Sequence, residues 1–319
     1  VLGAFGGITT MVHYAYARPG MQLAETVKKF IDEGKANSYT DFAIHGAMFD
    51  PENQIGDIPK CFEMGVSSFK MFMTYAKLGW MTDDYYLSKA MDVISPLGGL
   101  AMVHAEDGLS IDYLEDKYLK GPGASASHFN ASRPAALEEE AVFRSIRLAE
   151  LVDCPLYIAH VSSARAVDLI RREQAAGSRV YAETCPQYLT LTQEIIDERG
   201  ALAKIGPPIR SAVDRSALWA GLGDGTLQVV SSDHAAKAKD VNGDFLEQGF
   251  GSPQMETLLP LVYDGGVNRG RISLVRMVQV LCENPARICG LYPRKGTLAV
   301  VSDADLVVFD PNRRFTIAA

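Results

Sequence analysis

Short apolar runs rich in β-branched and aromatic residues alternate with amphipathic helical runs along most of the chain. The strand-like runs cover 9–16, 41–48, 67–75, 100–106, 155–163, 179–188 and 227–234. Helical periodicity occupies 22–33, 82–95, 137–151, 164–176 and 214–222 between them. A repeated β-then-α order demands parallel strands joined by right-handed crossovers, with both faces of the sheet buried. An open doubly wound sheet and a closed barrel both meet that demand.

The ends of the strands separate the two. Lys70 lies inside Ser-Ser-Phe-Lys70-Met-Phe-Met-Thr-Tyr75, an otherwise buried run in which an unpaired ammonium is costly. Leu100-Ala-Met-Val-His104, Pro155-Leu-Tyr-Ile-Ala-His160 and Leu227-Gln-Val-Val-Ser-Ser-Asp233 each close an apolar run with a ligand-type side chain. Chemistry-bearing residues at the same end of many strands belong to a barrel of the TIM (β/α)8 type, so we expect that α/β fold. Such a barrel has eight strands and about seven are legible here, which places the first ahead of Val1.

Composition narrows the function. The 319 residues suffice for one large barrel or for two ordinary domains, and 47% hydrophobic with 22% charged residues is typical of a soluble globular protein. No apolar stretch approaches the roughly 18 residues of a membrane span. A net charge of −8 without a basic run argues against nucleic-acid binding. The five cysteines form no CxxC pair and read as reduced thiols of a cytoplasmic protein. Val1-Leu-Gly-Ala-Phe-Gly-Gly has no signal-peptide pattern and reads as the end of a helix entering a strand. Residues 295–310 read as a β-hairpin. We therefore divide the chain into a barrel, 1–290, and a β-sandwich remnant, 291–319.

Taken singly, each candidate has a plain alternative. His104 and His160 suit core histidines, Asp233 a helix N-cap, Lys70 a lysine snorkelling to the rim and Tyr75 a rim aromatic. Together at one end of the barrel they point to a metal centre. Burial lowers the pKa of a lysine, and the neutral amine reacts with carbon dioxide to form a carbamate able to bridge two divalent ions. His104 and His160 offer imidazoles suited to zinc, and Asp233 a carboxylate. A water bridging two such ions becomes a nucleophile near neutral pH. Asp233 is then placed to shuttle its proton, and Tyr75 to donate to a developing oxyanion. His13 and His45 read as structural and His128 as solvated. Glu183 and Cys185 end a strand on the active face, where they read as packing residues or, second, as residues that shape the pocket.

The ordered set Phe69-Lys-Met-Phe-Met-Thr-Tyr75, Val103-His-Ala-Glu-Asp107, Ser132-Arg-Pro134, Leu156-Tyr-Ile-Ala-His-Val-Ser-Ser163, Glu183-Thr-Cys-Pro-Gln-Tyr-Leu189, Pro207-Pro-Ile-Arg210, Ser232-Asp-His234 and Asn284-Pro-Ala-Arg287 resembles the dihydropyrimidinase and hydantoinase branch of the amidohydrolase superfamily. The resemblance implies a TIM-type barrel plus a β-sandwich, commonly in a homotetramer. It implies two zinc ions bridged by carboxylated Lys70, with His104 and His160 completing one position. Asp233 would ligate the other ion and shuttle protons, while Tyr75 polarises the scissile carbonyl. The implied reaction opens a dihydropyrimidine or hydantoin ring to an N-carbamoyl amino acid. The family's His-x-His pair would precede Val1. Gly206 and Phe250 stand where the family often has a serine and an asparagine, whose backbone atoms contact substrate. Two other readings compete: a dihydroorotase- or allantoinase-like enzyme, and a non-catalytic oligomeric homologue.

Overall fold

A computed structural model of the chain describes residues 1–120, 125–314 and 316. Seven strands form one sheet: β1 (Thr10–Ala17), β2 (Asp41–Met48), β3 (Ser68–Phe72), β4 (Leu100–His104), β5 (Leu156–Ile158), β6 (Val180–Thr184) and β7 (Val229–Val230). Every neighbouring pair is parallel, and the strands follow one another in sequence order without a reversal. A doubly wound sheet reverses its strand order at a switch point. This one does not. A flat sheet would hold β1 and β7 about 29 Å apart at the usual strand spacing. Yet burial and the nearby His234, beyond β7, together lower the pKa of His13 on β1. The sheet is therefore curled, a half-barrel of seven parallel strands.

Side-chain alternation gives each strand two faces. Ala15, Ala17, Phe69, Met71, Ala101, Val103, Leu156, Ile158, Val180 and Ala182 join one continuous core with the surrounding helices. The opposite face carries Leu100, Met102, Tyr157 and Val229, packed with Tyr14 as a separate inner cluster. Lys70 shares that inner face because it is one residue from both Phe69 and Met71. His104 shares it two residues beyond Met102.

The helices that cover the outer face begin and end as their sequences require. Asp83, Ser163 and Ser211 each accept a backbone N–H from the first turn of the helix they precede. In the last case Asp214 bonds back to complete a capping box. Gly177 and Gly225 stop their helices in the left-handed region, where a side chain would be strained.

Five strands are shorter than the apolar runs predict, with most of the loss at their C-terminal ends. The chain leaves β3 at Phe72, β5 at Ile158 and β7 at Val230, before Tyr75, His160 and Asp233, all of which have positive φ. Beyond β6, Pro186 opens a short helix over Pro186–Thr190, because proline lacks the N–H a ladder needs but fits a first helical turn.

The hairpin expected over 295–310 does not form. Among the described residues this segment has no strand, and Leu298, Val300 and Val308 are exposed. An alternating apolar run becomes a strand only when another strand pairs with it. Lys295 instead clasps the segment to the start of β2 through Asp41, Asp303 (2.8 Å) and Asp305 (2.5 Å). These three carboxylates come close enough to grip a cation, and the ammonium of Lys295 already fills that role.

Candidate metal centre

Lys70, His104 and His160 converge on the inner face at the C-terminal ends of their strands. Lys70 is 4% exposed, and its Nζ lies 3.5 Å from Nε2 of His160. The rings of His104 and His160 meet edge to face with centroids 4.4 Å apart. Tyr14 and Phe72 flank the lysine, each ring centroid 5.5 Å from Nζ. Asp233 acts on the group by charge, since its carboxylate is the largest influence raising the pKa of Lys70 against the effect of burial.

The electrostatics favour neutral donors. Burial lowers the pKa of Lys70, opposed by the carboxylates of Asp233 and Glu183. Burial, then the positive charge of Lys70, holds both histidines well below their usual value. Burial pushes Asp233 up to about 7, with Lys70 opposing and Glu183 reinforcing the rise. Two neutral imidazoles, an amine easily deprotonated and a carboxylate form a donor set suited to zinc. Nδ1 of His160 is buried with no hydrogen-bond partner. Nε2 of His104 is taken by Glu106 at 2.6 Å, which leaves its Nδ1 as the ring nitrogen for a metal. These residues fit the metal that the resemblance implies.

Backbone strain marks the same residues. Tyr75, His160 and Asp233 have φ of 66°, 40° and 43°. Non-glycine residues enter this region rarely, and they cluster where a side chain must be aimed against local preference.

Tyr75, Gly206 and Phe250 form one wall beside His104. The Tyr75 ring lies 5.3 Å from that of His104 and 5.5 Å from that of Phe250. A Cβ on Gly206 would sit 2.8 Å from the Tyr75 hydroxyl and 3.2 Å from Phe250 Cδ1. Burial raises the pKa of Tyr75, so its phenol keeps its proton.

Several residues emerge only from the structure. Glu106 is 1% exposed and accepts from both His104 and Arg133 Nη1 (2.9 Å). Arg133 reaches Glu115 with Nη2 at 3.0 Å and lies over the rings of Tyr75 and Phe250. Glu183, taken from the sequence as a packing residue, accepts from the Tyr157 hydroxyl (2.7 Å) and the His160 N–H (3.4 Å). Its place on the inner face of β6 was the signal. Cys185 is buried, with Sγ 3.6 Å from Ser231 Oγ. His45 bonds Ser68 Oγ at 2.5 Å and His128 is exposed, while His13, largely exposed on β1, is only partly desolvated beside His234.

Comparison with known proteins agrees with this geometry. The model of the amidohydrolase family matches residues 79–319. The D-hydantoinase of Ralstonia pickettii is 39% identical over 99% of this chain and 71% of its own length. A D-hydantoinase structure superposes with a TM-score of 0.91 at 38% identity, covering 95% of this chain and 68% of the other. The dihydropyrimidinase from Brevibacillus agri gives a TM-score of 0.90 at 32% identity, with the same coverage of both chains. With Lys70, His104 and His160 gathered at the strand ends and these relatives matched along nearly its whole length, the chain belongs to the amidohydrolase family, in the branch of the hydantoinases and dihydropyrimidinases.

Proposed function

We propose that this protein hydrolyses the cyclic amide of a hydantoin or dihydropyrimidine, opening the ring to an N-carbamoyl amino acid. The observation that carries the reading is the convergence of Lys70, His104 and His160 beside the charge of Asp233. Lys70, carboxylated on Nζ by carbon dioxide with release of two protons, would hold two zinc ions together with His104, His160 and Asp233. Zinc bound there supplies Lewis acidity, polarising a carbonyl and acidifying water.

The chain's own residues do the rest. Asp233, whose carboxyl pKa burial pushes up from its usual range, would take a proton from the attacking water on its carboxylate and return it to the amide nitrogen as the C–N bond breaks. Tyr75, protonated in its buried setting, donates from Oη to the carbonyl oxygen as negative charge develops. Glu106 holds the ring of His104 in one orientation.

The wall around Tyr75 favours hydantoins and dihydropyrimidines over rings that carry a carboxylate, such as dihydroorotate. Both cations there are already engaged, Arg133 by Glu106 and Glu115 and Lys204 by three backbone carbonyls. We retain 291–319 as part of a separate β unit, because Leu298, Val300, Val301, Leu306 and Val308 within it are exposed.

Zinc analysis with a panel of hydantoins, dihydrouracil, dihydroorotate and allantoin tests the reading. We expect bound zinc, turnover of the first two classes, and loss of turnover in Lys70→Ala and Asp233→Asn. Undiminished turnover by either variant would rule it out.

A further inference from the structure

Lys204 is 3% exposed, yet no carboxylate lies within ion-pair distance of its ammonium among the described residues. Its Nζ instead donates to the carbonyl oxygens of Phe245 (2.8 Å), Leu246 (2.9 Å) and Gln248 (2.7 Å). An ammonium has three protons, and all three are spent on one loop. The lysine's backbone holds the same loop from the other side. Lys204 O accepts from the Gly251 N–H at 3.2 Å and from Lys239 Nζ at 2.8 Å. Residues 239–251, which contain no helix or strand, are thus gathered around a single side chain.

That loop delivers Phe250 to the wall of the pocket. The Phe250 ring is in contact with two cations, with Lys204 Nζ 4.8 Å and Arg133 Cζ 4.9 Å from its centroid. Its edge contact with Tyr75 sets it one ring away from His104. Two residues beyond Lys204, Gly206 leaves open the space that Phe250 and the Tyr75 hydroxyl occupy. One short segment therefore supplies both the anchor for the loop and the seat for its aromatic side chain.

We propose that Lys204 is a positioning residue for the ligand pocket, a cationic pin that shapes loop 239–251 so that Phe250 stands against Tyr75. The proposal rests on the reading of this pocket as the substrate site, but its first readout does not. An ammonium suits the task because it satisfies several carbonyls that an apolar core residue would leave unpaired. Lysine to methionine keeps the length and removes the donors.

The test is amide hydrogen exchange across 243–251 in wild-type protein and Lys204→Met, together with zinc content and steady-state kinetics. We expect exchange in the loop to rise about tenfold or more, since local opening then breaks fewer bonds. Zinc content stays at the wild-type level. KM for the ring substrate rises about tenfold, kcat changes by less than about threefold, and Lys204→Arg recovers part of the loss. A folded Lys204→Met protein with wild-type exchange and KM overturns the proposal. Should that variant fail to fold, acylation of wild-type lysines by an amine-reactive ester at neutral pH decides. Lys204 must stay unmodified while exposed Lys77 and Lys237 react; equal labelling of all three overturns the pin. Wild-type protein that opens no ring, combined with faster loop exchange in the variant, sinks the catalytic reading and leaves the pin standing.

Discussion

Nε2 of His104 and Oε2 of Glu106 lie 2.6 Å apart, both side chains shut off from solvent, with only Ala105 between them in the chain. β4 turns His104 to the inner face and the chain just beyond the strand brings Glu106 against it, so one histidine nitrogen is committed to a carboxylate and the other remains available. Glu106→Gln keeps the shape and weakens the acceptor. We expect about a 10–100-fold loss of zinc affinity, measured by competition with a chromophoric chelator, with an unchanged circular dichroism spectrum.

Arg133 secures Glu106 from the opposite side. Its guanidinium is 2% exposed and bridges Glu106 and Glu115. Arg133→Met should cost about 3–5 kcal/mol in urea unfolding, because it leaves a buried carboxylate without its counter-charge. The double variant Arg133→Met/Glu106→Gln should recover much of that loss. Equal instability of the single and double variants would mean that packing, not charge, dominates here.

Gly206 is required by its neighbours. Any side chain there meets the Tyr75 hydroxyl and the Phe250 ring inside normal contact distance. Gly206→Ala should destabilise the wall by about 1–3 kcal/mol and lower ring opening. Removing the ring in Gly206→Ala/Phe250→Ala should restore stability in part, which thermal unfolding of the two proteins would show.

His45 gives the protein an acid limit. Burial, then the charge of Lys70, lowers its pKa from the usual 6.5 to about 3. Above pH 6.5 the imidazole is neutral in folded and unfolded chains alike, and it contributes no pH dependence. As pH falls below 6.5, the unfolded chain binds a proton that the folded protein refuses. Stability is then lost at up to about 1.4 kcal/mol per pH unit until about pH 3. Urea midpoints across this window should fall less steeply in His45→Gln than in the wild type. Identical slopes would place the acid sensitivity elsewhere.

The candidate ligand residues stand out in the sequence because each violates its surroundings. A lysine in an apolar run and histidines closing two others stand out at once. The partners of these residues were not. Arg133 is 27 residues from Glu106 and carries no local sign of its role, since only the fold brings helix-flanking residues over the strand ends. Strand lengths were overestimated for a related reason. Propensity extends a strand through Tyr75, His160 and Asp233, whereas the chain turns each into the left-handed region to aim its side chain.

Period-two alternation and repeated β–α order, properties of local stereochemistry, determined from the sequence alone that parallel strands would bring Lys70, His104 and His160 to one face. Tertiary structure decided how that face is finished. The curl of the sheet brings its strand ends toward one centre, desolvates the donors so that their charged forms are disfavoured, and sets Glu106, Arg133 and the Lys204-pinned loop around them. Those outcomes depend on desolvation and on contacts between distant segments, which no local pattern encodes.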